Sequence, residues 1–207
     1  MHSVLAVIPV KPLEEGKSRL ASVLNAEERN RFNAFLMSRT FERASYYPGV
    51  SRTIVVSRSE SVIAVARASG MIVLLEHTDD LNGALASGTR EAMARGATGV
   101  FVLPVDLPMA SSEAVRRIVE RSEGEEDCCV LVPDRGGRGT NLMYLSPPRD
   151  DLYRFGSDSF RHHLDAAAKA RLLVLQVKDE ALAFDIDEPS DYEQWRAMDP
   201  RGFDAAK

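Results

Sequence analysis

Short apolar runs recur along the chain at Val4 to Ile8, Thr53 to Val56, Met71 to Leu75 and Val100 to Leu103. Further runs follow at Cys128 to Val132, Leu142 to Leu145 and Leu172 to Val177. Several are rich in Val and Ile and lack polar alternation. That pattern predicts strands covered on both faces. Between them the apolar period lengthens to that of a helix. Phe32, Phe35 and Leu36 keep helical spacing, as do Leu81, Leu85, Gly88 and Ala92. Val115, Ile118 and Val119 follow Ser111 and Ser112, either a suitable cap. Phe160, Leu164, Ala167 and Ala168 follow Ser157 and Asp158 in the same way. Pro189 opens a last helix with Tyr192 and Trp195 on its apolar stripe. Alternating strands and helices predict an α/β, three-layer sandwich around a mostly parallel sheet.

The 207 residues and 44% hydrophobic content suffice for one core. The expected organisation is a single domain over 1–198 with a polar, frayed tail over 199–207. A net charge of −5 without a basic run excludes a nucleic-acid track. The N-terminal run is too short for a signal peptide, and no stretch reaches the length of a membrane span. The two cysteines, Cys128 and Cys129, are neighbours within a strand. They read as small buried hydrophobes, and a cytoplasmic location is expected. Glu123 to Asp127 reads as a solvated acidic loop.

In such sheets ligands bind beyond the carboxyl ends of the strands. The first strand runs into Pro9-Val10-Lys11-Pro12-Leu13-Glu14-Glu15-Gly16-Lys17-Ser18-Arg19-Leu20. A P-loop would need glycine where Lys11 stands, and Pro12 lacks an amide donor. Lys11, Lys17 and Arg19 still suit a polyphosphate, although a solvated basic turn has the same composition. Asp106, in Leu103-Pro104-Val105-Asp106-Leu107-Pro108, follows the fourth strand and suits a metal ligand, or a turn or cap residue. In Phe184-Asp185-Ile186-Asp187 an extended backbone would aim Asp185 and Asp187 one way and the apolar pair the other. Such a carboxylate pair with a third from elsewhere makes an oxygen site for Mg2+; alone, it can simply introduce a helix.

Asp134 to Asn141 and Phe155 to Phe160 carry glycines that let amides approach an anion. Gly156 precedes a helix N-terminus, Thr140 and Ser159 offer hydroxyls, and Arg138 offers charge. An ordinary hairpin and a routine cap would read alike. His162 and His163 lack zinc-type spacing and read as helix residues near the anion site.

In this order, Pro9 to Pro12, Gly16 to Leu20, Leu81-Asn82-Gly83-Ala84 and Leu103 to Pro108 resemble the CofC/FbiD family. So do Gly139-Thr140-Asn141, Phe155 to Phe160 with His163, and Asp185 to Asp187. These are guanylyltransferases of coenzyme F(420) biosynthesis, related to the MobA-like nucleotidyltransferases. Pro12 and two glutamates replace the glycine-rich first loop frequent in that superfamily. The resemblance implies a nucleotide-diphospho-sugar transferase (MobA-like) fold and GTP as donor. The implied acceptor is a small phosphorylated carboxylic acid: 2-phospho-L-lactate, phosphoenolpyruvate or 3-phospho-D-glycerate. It implies Mg2+ on Asp106, Asp185 and Asp187, and the acid on Thr140, Gly156 and Ser159. Lys17 would meet the nucleotide phosphates and act in catalysis with Asp106. Asn82 would lie on the nucleoside side. Product hand-off to a deazaflavin transferase and a homodimer complete the expectation. The alternatives are a molybdopterin or sugar-phosphate nucleotidyltransferase and a non-catalytic nucleotide-binding module.

Overall fold

The structure, a computed structural model, describes residues 3–77, 79–125, 127–200 and 202–203. Seven strands form one sheet in the order β3-β2-β1-β4-β6-β5-β7. They are β1 (Val4–Pro9), β2 (Thr53–Ser57), β3 (Ile72–Leu75), β4 (Gly99–Val102), β5 (Cys128–Pro133), β6 (Thr140–Ser146) and β7 (Leu173–Gln176). Every strand pairing is parallel except those of β6, which runs antiparallel to β4 and β5. All seven predicted strands are therefore present, with ends moved by a residue or two.

The helices are α1 (Ala26–Tyr46), α2 (Glu60–Ala68), α3 (Leu81–Ala94), α4 (Ser112–Glu120), α5 (Ser159–Lys169), α6 (Glu180–Ala183) and α7 (Pro189–Met198). The continuous apolar character of β1 follows from cover on both faces. Val4, Ala6 and Ile8 join Met37 and Phe41 of α1, Val62 of α2 and Ile118 of α4. Leu5 and Val7 point the other way, towards Leu85 of α3 and Ala167 of α5. This period-two division makes three layers. Cys128 and Cys129 are fully buried, one on each face.

A third cluster joins Phe32 and Leu36 of α1 to Tyr192 and Trp195 of α7, with Phe184 and Ile186 between them. Phe203 enters it too, its ring 5.1 Å from Phe32. The expected frayed tail over 199–207 is thus corrected at Asp199, which accepts from Arg39 Nη1 at 3.0 Å, and at Phe203, which burial of its aromatic ring holds down. Residues 201 and 204–207 lie outside the described residues, as do 1–2 and Glu126 of the acidic loop.

Helix starts follow local chemistry. Asn25 and Glu28 form a reciprocal capping box on α1. Ser111 caps α4 by accepting from Ala114 N at 3.0 Å. Asp158 occupies the N-cap position of α5 in a left-handed conformation, φ 52°, without a side-chain capping bond. Two short helices escaped the periodicity. The stripe of α2 is blurred by the exposed Val65, and α6 is one turn long.

Candidate active site

The site lies where the carboxyl ends of β1 and β4 adjoin the start of antiparallel β6. After β1 the chain is tied back by Asn33, whose Nδ2 donates to Leu13 O at 2.6 Å. Asn33 also explains Gly16, because a Cβ there would sit 2.5 Å from Asn33 Nδ2. The turn delivers Lys17 in a left-handed conformation, φ 55°, which costs a non-glycine residue about 1 kcal/mol. Its side chain is only 9% exposed. Lys17 Nζ donates to Asp106 Oδ2 at 3.0 Å and to Asp187 Oδ1 at 3.1 Å. Burial alone would lower the Lys17 pKa, but attraction to Asp106 and Asp187 outweighs it and the net shift is upward.

The two acidic segments are stitched together by the backbone, Ile186 N donating to Asp106 O at 3.1 Å. Phe184 and Ile186 are buried in the third cluster, and Asp185 and Asp187 take the opposite side. Asp106, Asp185 and Asp187 border one cavity. Burial, then the charge of Asp106, raises the Asp185 carboxyl to about 6, while a hydrogen bond from Asn141 Nδ2 at 3.3 Å partly restrains the shift. Among the described residues no three His, Cys, Asp or Glu side chains are drawn together as a ready metal cage. The Lys17 ammonium is the cation between Asp106 and Asp187. The donor set nevertheless fits a hard divalent ion, since these are carboxylate oxygens and Asp185 lacks a full counter-charge.

Two cavities meet here. The first, about 390 Å³, is bordered by Lys11, Gly16, Lys17, Arg58 and Leu81. The second, about 550 Å³, is bordered by Arg138, Thr140, Asn141, Gly156 and Ser159. Pro9, Arg19, Leu81, Pro104, Asp106 and Asp187 border both. Each has the size of a small-ligand pocket.

The second cavity is lined by a hydrogen-bonded loop system. Asp134 N donates to Gly139 O at 3.0 Å, and Arg138 N donates to Asp134 Oδ1 at 2.9 Å. Thr140 N donates to Ser159 Oγ at 3.0 Å. Gly156 has φ +138°, a conformation open to glycine, ahead of the start of α5, which lacks a side-chain cap and whose Phe160 N donates to Arg138 O at 2.9 Å. The anion-binding features expected at Thr140, Gly156 and Ser159 therefore border one space.

The other expected residues are held by contacts of their own. Lys11 is exposed, 3.8 Å from Asp79, and Arg19 pairs with Glu188 at 3.1 Å. Asn82 brackets the backbone of Phe155, accepting from its N at 2.8 Å and donating to its O at 3.1 Å. Its amide thus holds the segment before Gly156. Sequence reasoning assigned no role to Asn141, whose Nδ2 also donates to Leu182 O at 3.0 Å and which adjoins Thr140. It also missed Arg58, which pairs with Glu15, Nη1 to Oε1 at 2.8 Å. Arg58 directly follows β2, and the strand-end rule applied there as at β1 and β4 would have found it.

A mostly parallel sheet with two cavities joined at a carboxylate and lysine centre suits a nucleotidyltransferase-type protein. Solved structures share the fold. A protein of Desulfovibrio desulfuricans G20 described as a nucleotide-diphospho-sugar transferase superposes with a TM-score of 0.74 at 17% identity, covering 97% of this chain and 89% of that one. A cytidylyltransferase from Leptospira borgpetersenii gives 0.64 at 13% identity, covering 100% and 90%. In sequence, the phosphoenolpyruvate guanylyltransferase of Rubrobacter xylanophilus is 37% identical over 189 residues, 91% of each chain. The profile of the family described as guanylyl transferase CofC like matches residues 4–195, and the chain belongs to that family. It is accordingly an enzyme, a guanylyl-transferring nucleotidyltransferase. No helix among the described residues is long and apolar enough to cross a membrane.

Proposed function

We propose that this enzyme transfers GMP from GTP to phosphoenolpyruvate or a close relative, 2-phospho-L-lactate or 3-phospho-D-glycerate, in coenzyme F(420) biosynthesis. The observation that carries the reading is the junction: a cavity rimmed by Lys11, Lys17 and Arg58 and a cavity lined by Thr140, Gly156 and Ser159 share Asp106 and Asp187. The 37% identity to a phosphoenolpyruvate guanylyltransferase supports the acceptor class.

GTP occupies the first cavity with its phosphates towards Lys17, Arg19 and Lys11. The acid occupies the second, its anionic groups on Thr140, Ser159 and the amides after Gly156. An oxygen of the acid's phosphate attacks the α-phosphorus, the bond from that phosphorus to the bridging oxygen breaks, and pyrophosphate leaves. The new diphosphate links the acid to guanosine. No protein nucleophile is required, because positioning and charge compensation do the work. Asp106, Asp185 and Asp187 would hold Mg2+, which supplies charge neutralisation across the reacting phosphates. Lys17 then turns from its carboxylate partners to the leaving pyrophosphate, and Arg19 at the shared rim assists it. The enzyme works in the cytoplasm as a homodimer and passes its product to a deazaflavin transferase.

The test is product analysis by mass spectrometry with GTP, Mg2+ and an equal mixture of the three acids, the downstream transferase being added to trap a short-lived product. A guanosine diphosphate-linked acid is expected. Pyrophosphate release only with a sugar phosphate would overturn the acceptor assignment, and GTP binding without turnover on any acceptor would overturn catalysis.

A further inference from the structure

Buried inside α5, His163 has no exposed surface, and both of its ring nitrogens are engaged. Arg154 N lies 2.9 Å from Nε2. A backbone N–H can only donate, so Nε2 is the bare, accepting nitrogen. In a neutral imidazole the proton then resides on Nδ1. Nδ1 lies 2.9 Å from Thr140 Oγ1 and must donate to it. An imidazolium would set two N–H donors against each other at Arg154, in a site closed by the edge-on Phe155 ring at 4.7 Å. Burial, reinforced by the Arg154 and His162 charges, lowers the His163 pKa to about 4, consistent with the neutral ring.

The consequence falls on the hydroxyls. Thr140 Oγ1 accepts from His163, so its own proton is directed elsewhere. Ser159 Oγ accepts from Thr140 N and is left in the same condition. Both residues border the second cavity. We infer that His163 is a positioning residue: through its Nδ1–H it fixes the Thr140 hydroxyl, alongside that of Ser159, as a donor into the acid-side cavity. The pair selects a ligand with acceptor oxygens over a cation. This deepens the proposed function and rests on it for the identity of the ligand.

Two measurements test it. In the parent protein, long-range proton–nitrogen NMR of the labelled histidines needs no substrate and should show His163 protonated on Nδ1 and bare on Nε2 at neutral pH. The opposite tautomer, or a doubly protonated ring, would overturn the inference. Steady-state kinetics with GTP and phosphoenolpyruvate then compare three variants. His163→Asn carries an amide near the Nδ1 position, His163→Gln near the Nε2 position, and His163→Phe neither.

Losing an aligned donor to an anion should raise KM for phosphoenolpyruvate about tenfold in the Gln and Phe variants. The Asn variant should stay within about threefold of the parent, with KM for GTP unchanged throughout. An unchanged phosphoenolpyruvate KM in a folded Phe variant, or an equal rise in both KM values for all three, would sink the idea. Absence of transfer by the parent to any of the acids would instead fail the functional reading, and the tautomer measurement alone would then decide His163.

Discussion

The two cavities that meet at Asp106 are built from different materials. Away from the carboxylates at the junction, the proposed acid side is framed largely by bonds to backbone groups and neutral side chains, with the Asp134 carboxylate on the Arg138 amide as the charged member: Asn82 on Phe155, His163 on Thr140, the Thr140 amide on Ser159. The nucleotide side is framed by ion pairs between partly exposed side chains: Arg58 with Glu15, Lys11 with Asp79, Arg19 with Glu188. Neutral buried hydrogen bonds hold a fixed geometry, because leaving any of their groups unpaired is costly. Exposed ion pairs are worth little, are screened by salt and exchange partners readily. The acid side is thus shaped before its ligand arrives. On the proposed function the nucleotide side would trade carboxylates for phosphates, and the same trade would apply to Lys17 at the junction.

The largest effect belongs to the junction, which serves both sides. Asp106→Asn should lower kcat by a factor of about 10² to 10³ with the fold retained, as expected when metal-site charge compensation is lost. Pyrophosphate release together with circular dichroism checks it. Unimpaired release would remove Asp106 from the chemistry and separate the cavities functionally.

Next comes a backbone change on the acid side. Gly156→Ala meets no neighbour within 4 Å, yet φ +138° is strained for any side chain. It should cost about 1–2 kcal/mol of stability and raise KM for the acid severalfold, with KM for GTP unchanged. Denaturation and two-substrate kinetics would show whether this side depends on backbone geometry.

A smaller effect is expected from the nucleotide side. Arg58→Ala should raise KM for GTP by about two- to fivefold, and added salt should narrow the difference between variant and parent. A change above about 100-fold would mean that Arg58 is a preorganised contact, and the contrast between the cavities would fail.

The smallest effect is a pH signature. The Asp185 carboxyl stands at about 6 in the folded protein and near 3.8 as a reference carboxyl. Between those values the folded chain retains the proton that the unfolded chain has lost. Stability of the metal-free protein should therefore be full below about 4 and fall as pH rises to about 6, by about 1–2 kcal/mol after solvent screening. Asp185→Asn should lack this component. Urea midpoints measured across that range in chelator, for parent and variant, provide the check.

The five inner strands were legible because both of their faces are buried, which leaves unbroken apolar runs such as Cys128 to Val132, and the partly exposed edge strands β3 and β7 keep shorter apolar runs. The long amphipathic helices were legible for the same reason at a different period. Asp185 and Asp187 could be read as a pair because period-two alternation with Phe184 and Ile186 is a local property. Thr140, Ser159 and Gly156 could be named as anion-binding types. What they touch could not, since Asn82 and Phe155 are 73 residues apart and Lys17 and Asp187 are 170 apart. Arg58 gave no local signal beyond its position after a strand. His163 looked like a helix residue near an anion site, and only packing revealed which of its nitrogens faces Thr140.

By itself, then, the chain determined its alternation of strands and helices, its acidic motifs and its glycine-bearing loops. These follow from short-range sterics and from which faces must leave water. Tertiary structure alone decided that Lys17 lies between Asp106 and Asp187, that Asn82 holds the Phe155 backbone, and that the Phe203 ring closes the third cluster. Each depends on partners far apart in the chain that only the packing of sheet, helices and loops brings together, and residue spacing does not encode that packing.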